Sequence, residues 1–435
     1  MVARTVRNPF GGRRQELRVL RQRSAENLLF AALVGGITGL WVSMLEWIVN
    51  DLIFDHVLRL DLWILALAPV IGLVISEIVR RYAGPRVSPS TADEYLHAFH
   101  DEHYDLGVRA LVVRTVAGIS TVGSGNAMGL EAPALYAGAT IGSQLQRRLP
   151  KVFATTDRRT LMVAGAAAGV SAVFKAPATG AVFALEVPYR DDLARRMVLP
   201  ALVSAAFSYL VFAAINGTTP LFAIVGNPVF RLADLLGALG LGVAAGLGAR
   251  VFAKMVHIAK SMIASAPVPR HVIVGGSLVG LFVLCRLATG QNLSLSPGYN
   301  VIAWAIQPGR SFAVVMAVLA IRCAGSALSV AGGGAAGLFV PLVVGGTLIG
   351  RAAAGLIDPT NITLFSVIGA AAFLGAGYRV PLAAVMFVAE TTGHPGFIVP
   401  GLIAAVAAEL VMGTSSITSY QLDPQQLTEL HDDST

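Results

Sequence analysis

Long apolar runs separated by short polar punctuation dominate this chain. They lie, approximately, at 27–50, 62–82, 107–125, 131–146, 160–187, 197–216, 232–255, 271–288, 311–330, 337–356, 363–376, 379–392 and 396–413. Several approach the 20 or so residues that a helix needs to cross about 30 Å of hydrocarbon. Others are shorter and broken by Gly or Pro, which is the pattern of discontinuous or re-entrant helices. The runs are unbroken rather than alternating, which argues against a β-barrel. The pattern therefore predicts an all-α integral membrane protein.

The runs also repeat. Gly165–Glu186 reads GAAAGVSAVFKAPATGAVFALE, and Gly369–Glu390 reads GAAAFLGAGYRVPLAAVMFVAE. They align without a gap, placing Lys175 on Arg379, Pro177 on Pro381, Phe183 on Phe387 and Glu186 on Glu390. Upstream, Gly129–Gly142 (GLEAPALYAGATIG) aligns with Gly337–Gly350 (GLFVPLVVGGTLIG), and Arg114 falls on Arg322 in the same register. Ala and Gly richness alone does not explain shared Pro, Phe, basic and Glu positions. The expected organisation is a basic tail at 1–26, a first half at 27–216, a second half at 217–413 and a closing segment at 414–435. Repeated halves with interrupted helices place a binding site near the bilayer midplane at their interface.

Composition sharpens this picture. Of 435 residues, 55% are hydrophobic and 13% charged, with a mean hydropathy of +0.69. Soluble domains carry about twice that charge. The 46 glycines suit closely approaching helices in lipid. The net charge of +7 is concentrated near the start, at Arg4, Arg7, Arg13, Arg14, Arg18, Arg21 and Arg23. A membrane span follows at once, so this cluster reads as a cytoplasmic N-terminus of a multi-pass inner-membrane protein rather than as a nucleic-acid contact. Cys285 and Cys323 have neither disulfide nor metal spacing. There is no HExxH, no GxSxG and no dinucleotide loop in a suitable context, so no enzyme and no cofactor is expected. His97, His100 and His103 recur every three residues, which fits one face of an amphipathic helix.

The motif with the most chemistry is Gly129-Leu130-Glu131-Ala132-Pro133, preceded by Gly123, Ser124 and Gly125. A Pro just inside a helix start is tolerated because its missing N–H would be unpaired anyway. The remaining free N–H groups and the positive end of the helix dipole attract an anion. An acidic side chain at that point competes for the same place, and its protonation decides whether it does so. The alternative is a Glu that caps its own helix or faces a water-filled crevice. Gly337-Leu338-Phe339-Val340-Pro341 repeats the geometry without charge, leaving its amides open to an anion. It equally suits a plain helix start with Gly needed for packing.

These segments resemble the CLC family of chloride channels and anion/proton antiporters over roughly residues 27–422. GLEAP is similar to the family motif that carries its external gating glutamate, and GLFVP to its GxFxP motif. The resemblance implies a CLC-type inverted repeat of about 18 tilted and discontinuous helices. It also implies a homodimer in the lipid bilayer with one pathway per subunit, for chloride or a similar small inorganic anion. Glu131 then gates, and Gly337, Leu338, Phe339 and Val340 supply backbone amides to the anion. The family's GSGIP serine is replaced, since Pro85-Arg86-Val87-Ser88-Pro89 puts Arg86 at that position and Ser88 two residues later. Its C-terminal tyrosine position falls on Thr418, with Tyr420 two residues on. Leu130 replaces a basic residue of the gating motif, which weakens the attraction of anions to the mouth. The inner glutamate of proton-coupled members is replaced by Val187, directly after Glu186. A valine relays no proton, so passive conduction is the first expectation and proton-coupled exchange the alternative. Glu186, whose repeat mate is Glu390, suits a helix-end partner. Bicarbonate, nitrate and fluoride stay open beside chloride.

Overall fold

The computed structural model describes residues 9–83, 91–101, 103–149, 158–190, 192–219, 222, 231–264, 266–295 and 297–422. In the first half, α1 (Pro9–Glu46) continues through a π-helical stretch, Trp47–Phe54, to Val57. It is followed by α2 (Leu62–Ile78), α3 (Thr91–His100), α4 (Val108–Gly123), α5 (Glu131–Arg148), α6 (Arg158–Phe174), α7 (Pro177–Glu186) and α8 (Val198–Asn216). The second half has α9 (Leu232–Met262), α10 (Pro267–Thr289), α11 (Tyr299–Ala305), α12 (Phe312–Ala331), α13 (Phe339–Ile357), α14 (Ile362–Tyr378), α15 (Pro381–Thr392) and α16 (Ile398–Met412). The packing partners recur between the halves. Helix α5 packs on α6 as α13 does on α14, α1 on α8 as α9 on α16, and α2 on α4 as α10 on α12.

Among the described residues, seven helical stretches are long and apolar enough to cross a membrane, from Glu26–Val57 to Phe339–Ile357. Their outward faces are apolar, with Leu33 and Leu40 on α1, Leu67 and Ile71 on α2, and Val272 and Leu284 on α10 all exposed. A belt of this kind is the face that hydrocarbon solvates. At the centre, α14 is buried from Leu364 to Tyr378, as expected of a helix that is apolar all round. The fold is thus an all-α membrane architecture of interrupted helices.

Small residues set how closely the helices approach. A Cβ at Gly242 or Gly246 of α9 would press into the backbone of Ala404 or Ala408 on α16. The first half does the same with Gly35 and Gly39 of α1 against Ser204 and Ser208 of α8. In lipid, where apolar burial gives helices little reason to associate, close backbone packing of this kind is a main source of cohesion.

Helices α3, α7, α11 and α15 are too short to span, and α7 and α15 form a pair. Helix α7 has 10 residues and α15 has 12, which at 1.5 Å per residue is roughly half the hydrocarbon thickness. The free N–H groups at their starts need acceptors. Each is capped by the other's terminal acid. Glu390 of α15 accepts from the Ala178 N–H at 2.8 Å, the Thr179 N–H at 2.7 Å and the Thr179 hydroxyl at 2.6 Å. Glu186 of α7 accepts from the Leu382 N–H at 3.0 Å and the Ala383 N–H at 2.9 Å. The reciprocal caps make α7 and α15 antiparallel, and they assign Glu186 to a helix end, as its repeat mate suggested.

The chain departs from its hydropathy pattern in four places. The run 160–187 divides at Pro177, which has no N–H and disfavours a helical residue before it. Lys175 and its repeat mate Arg379 make the breaks before α7 and α15 in left-handed conformation, at φ 53° and φ 57°. Glycine is the usual choice there. Here the long side chains anchor the turns, Lys175 to the Thr219 hydroxyl and Arg379 to Glu409 at 3.2 Å. Helix α11 lies in a stretch with no apolar run. The tail before residue 27 is helical from Pro9. Finally, α3 is more buried than an amphipathic surface helix. Tyr95, Leu96 and Phe99 are in the core, and only a stripe through Glu94, His97 and His100 is partly exposed.

Candidate functional site

The two glycine-rich loops meet face to face. The Gly129 N–H donates to the Gly337 carbonyl at 3.0 Å, and the Gly337 N–H donates back to the Gly129 carbonyl at 2.7 Å. This two-bond bridge fixes the starts of α5 and α13 against each other. The first loop is also pinned from both halves. Asn126 donates to the Pro69 carbonyl at 2.9 Å and accepts from Ser329 at 2.9 Å, while Ser326 donates to the Ala127 carbonyl at 2.6 Å. No periodicity marks Asn126, which is why sequence reasoning missed it.

Glu131 is the first residue of α5 and is 4% exposed. Its side chain crosses to the other loop, where Oε1 accepts from the Phe339 N–H at 2.5 Å and the Val340 N–H at 3.2 Å. An anionic oxygen therefore occupies the free amides of α13, the groups that otherwise attract a diffusible anion. The other oxygen, Oε2, is buried with no hydrogen-bond partner among the described residues. Space for the carboxylate exists because the flanking residues are glycines. A Cβ at Gly129 would overlap Oε2, and a Cβ at Gly337 would overlap the carboxyl carbon and Oε1. Phe339, which carries the first of these amides, stacks on Phe174 with ring centroids 4.0 Å apart and meets Phe183 and Phe387 edge-on. That aromatic cluster makes one wall dry and rigid.

A small pocket lies beside the bridge, lined by Ala132, Gly337, Leu338, Tyr378, Lys260 and Thr418, among others. Thr418 also lines a wider vestibule with Arg190, Arg250, Lys254 and His257. The two cavities follow one another with Thr418 at the junction. Its hydroxyl lies 2.8 Å from that of Ser416. Tyr378 and the cations on α9 were not singled out from the sequence. The signal was there in the second case, because Arg250, Lys254, His257 and Lys260 recur every three to four residues at the end of an apolar helix. Such a stripe lies on one helical face.

The remaining sequence candidates are scattered. Tyr420 is 46% exposed and stacks on His97 at 5.1 Å, away from both cavities. Val187 is buried just beyond Glu186, and its carbonyl accepts from Gln421 at 3.0 Å. Arg86 and Ser88 lie outside the described residues. The repeat-related arginines have diverged. Arg114 pairs with Glu94 at 3.2 Å and lies over the Tyr136 ring. Arg322 is held by carbonyls, those of Leu293, Ser294 and Leu295 on Nη1 at 3.1–3.3 Å and that of Pro297 on Nη2 at 2.9 Å. His100 engages the Pro188 carbonyl at 2.8 Å, and no group of three or more metal-ligating side chains exists among the described residues.

Comparison with known proteins gives this arrangement its context. Residues 71–413 match the model of the family described as voltage gated chloride channel. The H+/Cl− exchange transporter ClcA of Salmonella paratyphi B is 29% identical over 92% of this chain and 88% of its own length. Among solved structures, a CLC-type fluoride/proton antiporter superposes with a TM-score of 0.78 at 21% identity, covering 92% of this chain and 98% of that one. A slow cyanobacterial Cl−/H+ antiporter gives 0.77 at 20% identity, covering 89% and 94%. These structural likenesses concern the fold.

Proposed function

The chain belongs to the voltage gated chloride channel family, and we propose that it carries small inorganic anions across a membrane in exchange for protons. The observation that carries this reading is the seat of Glu131 Oε1 on the Phe339 and Val340 amides. With the carboxylate seated, an anion has no access to those amides. Protonation removes the charge that holds the side chain there, because hydrogen bonds to a charged acceptor are roughly twice as strong as neutral ones. The side chain then withdraws, and an anion takes its place. Proton uptake and anion entry are thereby linked at one position. The anion continues through the pocket beside Gly337 and Leu338, past the hydroxyl groups of Tyr378 and Thr418, into the cation-lined vestibule.

Exchange is preferred to the passive conduction first expected, because the relative and both solved structures named above are exchangers matched along nearly all of their length. Chloride is the first candidate ion, with fluoride, nitrate and bicarbonate as alternatives. Passive conduction is favoured by one observation, the apolar Val187 where an inner acid would relay protons. Glu186 cannot substitute while its carboxylate caps α15. In the exchange reading, protons reach the inner side through water in the vestibule. Both loops of the site come from one chain, which supports one pathway per subunit in a homodimer. The Arg-rich start supports a cytoplasmic N-terminus in an inner membrane.

The test is flux in reconstituted liposomes with a panel of anions, with and without a pH gradient. Exchange predicts a reversal potential that follows pH as well as the anion gradient; passive conduction predicts that it follows the anion alone. Glu131→Gln is expected to abolish pH dependence. Unchanged flux and pH response in that variant would remove Glu131 from the gate.

A further inference from the structure

Lys260 has no role in the reading so far, yet among the described residues it is the one full side-chain cation that lines the small pocket. It sits in the last turn of α9 with its side chain 17% exposed. Its Nζ donates to Asp93 Oδ2 at 2.6 Å and to the Ile417 carbonyl at 2.9 Å. An ammonium has three N–H donors, so these two bonds leave one. Asp93, 4% exposed on α3, uses its other oxygen to accept the Ser419 N–H at 3.1 Å. The pair thus clamps α9, α3 and the 417–419 segment together, and holds the ammonium one residue from Thr418. On one side of this point are Gly337 and Leu338; on the other is the vestibule bearing Arg250, Lys254 and His257.

Resting on the anion-transport reading above, we infer that Lys260 determines how strongly the inner pocket binds an anion, and that Asp93 attenuates it as a fixed counter-charge. Beside the Tyr378 hydroxyl the pocket offers few other ligands. Thr418 is short, and its hydroxyl is engaged with Ser416. The pocket walls at Ala132, Leu338 and Ile417 are apolar. Stripping water from a small anion there needs positive charge within a few ångströms, and in a poorly hydrated site one charge outweighs several dipoles. A lysine alone would trap the anion. A lysine already half-neutralised by a carboxylate binds it weakly enough to release it, which a conducting site requires.

The rival explanation is that the pair is only a structural clamp. The two roles differ in sign. Half-saturating concentrations for chloride, fluoride and nitrate are measured by liposome flux, and chloride binding by titration calorimetry on the detergent-solubilised protein. Asp93→Asn keeps the oxygen that accepts from Ser419 but frees the ammonium of its counter-charge. It is expected to lower the half-saturating concentration about tenfold. The double variant Lys260→Met/Asp93→Asn, which leaves no unpaired charge, is expected to raise it about tenfold. Lys260→Arg should stay near wild type, because it keeps the charge. If Asp93→Asn and the double variant shift binding in the same direction, or if the double variant stays within about twofold of wild type, the inference falls and the pair is a clamp. Wild-type protein that carries and binds none of the three anions would instead overturn the transport reading on which this rests. Flux that responds to Glu131→Gln but not to the Lys260 variants overturns only the inference.

Discussion

Gly337→Ala offers a direct way to dislodge Glu131 from its seat without replacing the acid. Gly337 has no positive φ, so alanine fits its backbone. The three atoms nearest the added methyl all belong to Glu131, with Cγ at 2.7 Å and the carboxyl atoms closer still. The loop bridge to Gly129 uses only main-chain atoms and survives. The strain therefore falls on one mobile side chain, which must leave its seat. Overpacking of this kind costs about 1–3 kcal/mol where a neighbour cannot yield. Taking about 2 kcal/mol as the penalty on the seated state, the ratio of seated to withdrawn carboxylate falls roughly 30-fold. Liposome efflux across a pH series reads this out. The expected result is faster flux at neutral pH and a flattened pH response. The decisive control is Gly337→Ala added to Glu131→Ala. With the side chain gone, none of those three atoms remains to be displaced, so the double variant should match Glu131→Ala alone. Wild-type flux and pH response in Gly337→Ala would refute the reasoning, as would a further large change in the double variant.

Two other predictions concern stability. Glu390→Ala leaves the Ala178 and Thr179 N–H groups buried without an acceptor, and should cost about 3 kcal/mol, since hydrogen bonds to charged groups contribute about 1.5–3 kcal/mol each. A clear drop in the thermal midpoint of the detergent-solubilised protein checks this, and an unchanged midpoint would mean the cap is replaceable by water. Arg322→Met removes the cation that gathers the carbonyls of Leu293, Ser294, Leu295 and Pro297 and is expected to destabilise by about 3 kcal/mol, since a buried acceptor left unpaired costs about 1–3 kcal/mol. Accelerated backbone hydrogen exchange across that loop would support it; full protection there would count against it.

The repeat was legible in the sequence because its anchors are chemically rare in lipid. Pro177 and Pro381 must begin helices, and Glu186 and Glu390 must find donors, so duplication keeps them in register. Hydropathy gave the membrane class and most helices for the same reason: a span that faces hydrocarbon has little freedom in composition. Gly129, Glu131, Gly337 and Phe339 were readable as loop-to-helix starts from Gly and Pro placement alone. One signal was misleading. Tyr420 has the right chemistry two residues from Thr418, but it stacks on His97, because orientation is set by packing and not by residue type. Val187 favours passive conduction, and the exchange proposed above needs a proton route that bypasses it.

The lipid surroundings, the internal duplication and the two loops able to present backbone amides are all readable along the chain. Those follow from local rules, the apolar length needed to cross lipid and the donors left free at a helix start. That Glu131 reaches across to Phe339, that Glu186 and Glu390 exchange caps, and that Lys260 and Tyr378 reach the same pocket as Thr418 emerge only in three dimensions. These pairings join residues far apart in the chain. They arise from how the two halves face each other, and a one-dimensional pattern carries no distance across that interface.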